Sequence, residues 1–181
     1  MTRDEVLDAL FRVFRERGFE GATISAIAKA CGLGKASLYH HFPDGKDEML
    51  LALVSTVLDG LDRDAFAPLR GWDAPKTRIR AVIDGLGRYL EGGERNCLIA
   101  VLALGTAQTR IGALVSAHVQ RWLDGLTQLY EAAGLSKKKA RRAASDVLVR
   151  MQGAVVVSRM LDDVTTFRQT SKRLLRETEK L

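Results

Sequence analysis

A chain of 181 residues, 46% hydrophobic and 28% charged, has enough apolar material for one or two globular units, each with a real core. Its two cysteines, Cys31 and Cys97, stand at no metal-ligand or disulfide spacing; no secretory leader and no apolar run of membrane-crossing length is visible, so no membrane partner and a reducing cytoplasm are expected. The net charge of +6 points to an anionic partner such as nucleic acid, yet residues 1–48 hold seven Lys/Arg against eight Asp/Glu and net −1, which leaves +7 on the rest.

Three prolines and no alternating β-branched runs predict an all-α protein. Val6, Leu10, Val13 and Phe14 recur at helical spacing, so a helix is predicted over 3–17 with Gly18 placed to stop it. Thr23 is placed to cap a second helix whose Ile24, Ile27, Ala28 and Cys31 share one face, and Gly32 ends that helix. A third short helix is predicted over 35–42, just before Pro43. The tight turn with Gly32 and Gly34 between the second and third helices completes the outline of a helix-turn-helix. A longer helix follows over 46–64, and "APLRGWDAP" (67–75) reads as a connector. Asp73 is expected to cap the next helix with Pro75 in its first turn; it carries Ile79, Val82, Ile83, Leu86 and Leu90 and stops at Gly92 and Gly93. Further helices are predicted over 98–106, 111–133, 136–161 (with Ser136 as cap) and 164–179.

In a helix-turn-helix the second helix of the motif enters the major groove and offers its first residues to base edges. Here these are Lys35, Ala36 and Ser37. Lysine can donate to guanine O6/N7 or to phosphate, serine to either, and an alanine methyl can touch a thymine methyl. Leu38 and Phe42, four apart, are expected in the core, which turns Tyr39 and His40 outward as phosphate donors. Adjacent His40 and His41 point about 100° apart on a helix and make a poor chelate; no metal is expected, and His41 reads as a packing or phosphate-contact residue.

The stretch "TISAIAKACGLGKASLYHHFPDGKDEML" resembles the N-terminal signature of TetR-type transcriptional regulators, and the match covers about residues 3–50. The resemblance implies a homodimer that binds a palindromic double-stranded DNA operator and is released by a small-molecule inducer. It implies a DNA-binding domain over 1–48 and a ligand-binding and dimerisation domain over 49–181. It places Thr23, Ser25, Lys35, Ala36, Ser37, Tyr39, His40, His41 and Lys46 at the DNA, with Lys46 on a phosphate. Three features depart from the family pattern. Gly34 stands where a capping serine or threonine is common, Ala36 stands where glycine is common, and Gly45 lengthens the turn by one residue. The longer turn, with "NCLIAVLAL", is similar to a subgroup that includes multidrug-responsive repressors.

The ligand site is less sharply marked. Trp72, Tyr89, His118 and Trp122 are the candidate ligand residues, with Phe66 and Tyr130 as further aromatic candidates for the cavity wall; Leu114, His118 and Trp122 share a helix face of a kind that is more often plain core. Gly153, Ala154 and Ser158 would let two helices approach closely in a dimer. Cys97, near Arg95 and a helix start, is a candidate redox sensor if exposed. The basic run "SKKKARR" (136–142) is either a solvated face or a partner site. A competing class, a helical small-molecule-binding protein or enzyme without DNA binding, would need convergent acid, base or nucleophile groups or a cofactor fingerprint. None is present in the sequence, so neither an enzyme nor a cofactor is expected.

Overall fold

Apolar side chains at three- and four-residue spacing make nearly the whole chain helical. The computed structural model describes residues 2–181, and among these there are nine α-helices and no strand. They are α1 (Arg3–Gly21), α2 (Ile24–Cys31), α3 (Lys35–His41), α4 (Lys46–Asp64), α5 (Pro75–Tyr89), α6 (Leu98–Ala103), α7 (Gln108–Ala132), α8 (Lys137–Leu161) and α9 (Thr165–Glu179). Short 3-10 turns occupy Ala67–Arg70 and Glu91–Gly93.

Local chemistry sets most boundaries. Thr2 and Glu5 form a reciprocal capping box at the start of α1: the Thr2 hydroxyl accepts from the Glu5 N–H at 3.2 Å, and the Glu5 carboxylate accepts from the Thr2 N–H at 2.7 Å. Gly18 breaks α1 where its stop was predicted, at φ 64° and ψ −173°, and one further turn runs on to Gly21. Thr23 caps α2 by accepting the Ala26 N–H at 3.1 Å, and Gly32 closes α2 in the left-handed region at φ 65°. The predicted cap of α5 shifts by one residue. Ala74, not Asp73, takes the extended N-cap conformation, because Pro75 at the first helical position forces the residue before it out of the helical region. α6 ends at Ala103 and α7 begins at Gln108, so the expected 98–106 helix is shorter and its successor starts three residues early. Ser136 caps α8 by backbone position alone, whereas Asp163 accepts the Thr165 N–H at 2.9 Å ahead of α9.

The chain divides into two compact units. One runs to Leu58 and takes in Cys97–Val115; the other comprises Asp59–Asn96 and Ser116–Leu181. In the first, α1, α2 and α3 pack around Leu10, Phe14, Ile27, Leu38 and Phe42, and α6 lies against α1. In the second, α9 packs against both α5 and α8, burying Ile79, Val82, Ile83, Met151, Val155, Phe167 and Leu174. Gly85 permits a close backbone approach there: a Cβ on it would stand 2.7 Å from Ala65 Cα. Among the described residues, no helix is long and apolar enough to cross a membrane.

Candidate nucleic-acid interface and ligand cavity

The third helix has one buried and one open side. Leu38 and Phe42 are wholly buried, while Lys35, Ala36, Ser37 and His40 are exposed and Tyr39 is 46% exposed. His41 is half-buried, its ring 5.9 Å from that of His40. Thr23 and Ser25 are exposed at the start of α2, although the Thr23 hydroxyl is already engaged as the cap. Gly34 is the N-cap of α3 and offers it no side-chain bond.

The far end of α3 is held by a residue the sequence reading passed over. The Arg3 guanidinium donates to the His41 carbonyl at 2.6 Å, lies 4.3 Å above the Phe42 ring and stands 3.5 Å from Glu48 Oε1. Glu48 in turn accepts the Asp44 N–H at 3.0 Å, so Arg3 and Glu48 tie the end of α3 to the start of α4. An arginine 38 residues from its carbonyl partner leaves no local pattern. Arg3→Ala should leave stability within about 1 kcal/mol, as exposed ion pairs do. Affinity for specific DNA should drop severalfold, which a thermal melt and a DNA titration on one preparation would separate.

The additional Gly45 also acquires a role. It sits at φ 71°, donates to the Phe42 carbonyl at 2.9 Å, and a Cβ on it would come 3.3 Å from Tyr39 Cε1. The longer turn therefore seats the Tyr39 ring on a residue with no side chain. Gly45→Ala should cost about 1–2 kcal/mol for the left-handed backbone and displace Tyr39. A lower melting temperature with weakened DNA binding is the expected pair of results.

Lys46 differs from the other candidates. It is half-buried, with Nζ 4.1 Å from the Phe19 ring centroid, and Arg110 lies over the same ring at 4.9 Å. Burial pulls the Lys46 pKa down; Glu20 and Asp47 oppose this, and Arg110 adds to it. Arg110 is paired with Asp47 at 2.8 Å, and Glu20 accepts the Thr106 N–H at 3.2 Å.

The four candidate ligand residues do not converge. Trp72 is wholly exposed in the connector. Tyr89 is half-buried near the end of α5, with the Arg95 guanidinium 5.9 Å over its ring. His118 is half-buried and meets the buried Trp122 edge-on at 6.2 Å. A cavity of about 340 Å³ lies between the end of α4, the 67–70 turn and α7, and of the four only Trp122 lines it. Asp62, Phe66, Leu69, Arg70 and Arg121 line it as well. Phe66 is among the aromatic candidates visible in the sequence; Asp62, Leu69, Arg70 and Arg121 are not, because the wall is assembled from separate segments. Trp122 lies flat on Phe66, with centroids 4.2 Å apart, and donates its indole N–H to Asp62.

The other candidate features resolve simply. Cys97 is only 5% exposed, so the accessible thiol that a redox sensor needs is not there. Cys31 is half-buried, and burial raises its thiol pKa against an opposing Arg12. The five cations of 137–142 are all exposed, with Arg141 4.0 Å from Asp124. No group of three or more His, Cys, Asp or Glu that could hold a metal occurs among the described residues.

This arrangement has counterparts in known proteins. Residues 6–53 match the family model described as bacterial regulatory proteins, tetR family, and residues 75–173 match the one described as transcriptional regulator LmrA/YxaF-like, C-terminal domain. The HTH-type transcriptional regulator LmrA of Bacillus subtilis is 23% identical over 161 residues, covering 87% of this chain and 86% of that protein. Among solved structures, a TetR-family transcriptional regulator from Agrobacterium tumefaciens superposes with a TM-score of 0.81 at 23% identity, covering 97% of this chain and 96% of that one. AibR, solved in complex with isovaleryl coenzyme A and operator DNA, shares the fold with a TM-score of 0.72 at 22% identity over 96% of this chain and 95% of its own.

Proposed function

Because this chain belongs to the TetR family of bacterial regulatory proteins, transcriptional regulators rather than enzymes, and carries an LmrA/YxaF-like C-terminal domain, we propose that it is a cytoplasmic, ligand-responsive repressor that binds a palindromic operator as a homodimer. The observation that carries this reading is the two-sided third helix: Lys35, Ala36, Ser37, Tyr39 and His40 open to solvent above a buried Leu38 and Phe42. DNA binding is assigned to residues 1–48, and ligand binding and dimerisation to 49–181.

Lys35, Ala36 and Ser37 would read base edges, while Tyr39, His40, His41, Thr23 and Ser25 would position the motif on phosphates. Lys46 would reach a phosphate after leaving the Phe19 ring. With residues 1–48 at net −1, affinity has to come from where these groups stand and not from bulk charge. For the dimer, α8 supplies an apolar strip open to solvent, with Val149, Met160 and Leu161 each more than 60% exposed. A second copy would cover it in a four-helix bundle. The two recognition helices would then sit about 34–36 Å apart, one DNA turn. An inducer would act by binding a conformer with lower operator affinity, with a coupling of about 1–3 kcal/mol.

The test is protection of the DNA upstream of the protein's own gene, with oligomeric state measured in parallel by sedimentation. A protected palindrome bound by a dimer supports the proposal. A monomer that binds small molecules but no particular DNA would favour the competing class of helical binding protein.

A further inference from the structure

We propose that the cavity between the end of α4, the 67–70 turn and α7 binds a small aromatic carboxylic acid, anchored by Arg70 and covered by Trp72; the inference rests on the ligand-responsive reading above. At about 340 Å³ the cavity is the size of a small-ligand site. One wall is aromatic: the Phe66 and Trp122 rings stack with 8° between their planes, and the Trp122 N–H is already satisfied by Asp62. Leu69 occupies the space that a side chain at Gly125 would fill, with a Cβ there only 2.9 Å from Leu69 Cδ1. A flat apolar body matches these surfaces.

The charges around the cavity decide the ligand's sign. Asp62 faces Arg121 at 3.4 Å. Asp124 accepts from Gln120 at 2.8 Å and has Arg141 at 4.0 Å. Arg70 is exposed on the cavity wall and makes no ion pair among the described residues. One unmatched guanidinium calls for one anion, and a carboxylate fits its fork of donors.

Trp72 supplies the cover. It is 101% exposed, an unusual place for the largest apolar side chain, and such indoles are typical anchors of a bound state. It lies two residues beyond Arg70, a span of at most about 7 Å of chain, so the indole is within reach of the rim. Arg78 pins the preceding turn by donating to the Pro68 and Leu69 carbonyls at 2.7 and 2.6 Å. α5 begins at Pro75, so residues 71–74 form a short link between two fixed points, and that link carries the tryptophan.

The test is calorimetric titration of the full chain with indole-3-acetate, indole-3-acetamide and tryptamine, which share a ring and differ in charge. The acid should bind about tenfold or more tightly than the amide, and tryptamine least, as expected for one charge-assisted bidentate contact. Arg70→Gln should erase the preference for the acid and leave the amide unchanged. Trp72→Ala should weaken acid and amide by the same factor. Both side chains are exposed, and a melting curve checks that the variants fold. Tryptamine binding tightest, no binding by any of the three, or an Arg70→Gln variant that still prefers the acid would each overturn the proposal. Operator binding is measured on the same preparations. Specific DNA binding without acid binding removes this inference alone, whereas absence of specific DNA binding by the unsubstituted protein removes the repressor reading.

Discussion

Phe42→Ala should destabilise the N-terminal unit by about 3–5 kcal/mol, the usual cost of emptying a fully buried phenylalanine site, and should abolish specific DNA binding at protein concentrations that saturate the unsubstituted chain. The Phe42 ring is 0% exposed and carries the Arg3 guanidinium on its face at 4.3 Å. Its backbone is used as well: the Phe42 N–H donates to the Leu38 carbonyl at 2.9 Å and its carbonyl accepts from Gly45 at 2.9 Å. One truncation therefore opens a cavity under α3 and removes the seat of the residue that holds its last carbonyl. Against a total stability of about 5–15 kcal/mol for a typical domain, such a loss is a large share. A denaturant melt of the full chain should show it as a lower midpoint, and Phe42→Leu should recover much of the stability. A near-neutral Phe42→Ala would mean that α3 is not held from this side.

The second large effect concerns recognition itself. Lys35→Ala removes an exposed ammonium at the first residue of α3 without touching the core. If Lys35 reads a base, each half-site should lose about 1–3 kcal/mol, and a palindrome bound by two copies loses this twice. The preference at the contacted base pair should relax at the same time. Tyr39→Phe keeps the ring against Gly45 and removes only the hydroxyl. Its cost should be about 0.5–1.5 kcal/mol per half-site, the worth of one hydrogen bond, and uniform across DNA sequences. Titrating both variants against the operator and against single-base changes of it separates the two roles. If neither alters affinity, α3 is not the recognition helix.

The helices were legible because their apolar spacing is local. So were Gly18, Thr23 and Gly32, whose conformational roles depend on a few neighbours. The outward face of α3 followed from Leu38 and Phe42 alone, since two inward side chains four apart fix the direction of the others. Long-range partners were not legible. Nothing near Lys46 in the sequence announces that Phe19 and Arg110 share its surroundings, and nothing near His41 points to Arg3. How the candidate ligand residues group in space was not legible for the same reason. Trp72 and Trp122 look alike as aromatic candidates, yet one stands in water and the other stacks on Phe66. The packing of Cys97–Val115 with the N-terminal residues likewise depends on tertiary contacts that no spacing encodes.

On the repressor reading, a few placed side chains, on a segment with no net positive charge, recognise one DNA sequence. The most direct test of that reading is the ratio of affinities for the footprinted palindrome and for a scrambled duplex of the same length, measured at a fixed, near-physiological salt concentration. Specific regulators bind their sites about 10³-fold or more tightly than other DNA, and a ratio of that order that collapses in Lys35→Ala is the expected result. A ratio near one, unchanged by Lys35→Ala, would contradict the account.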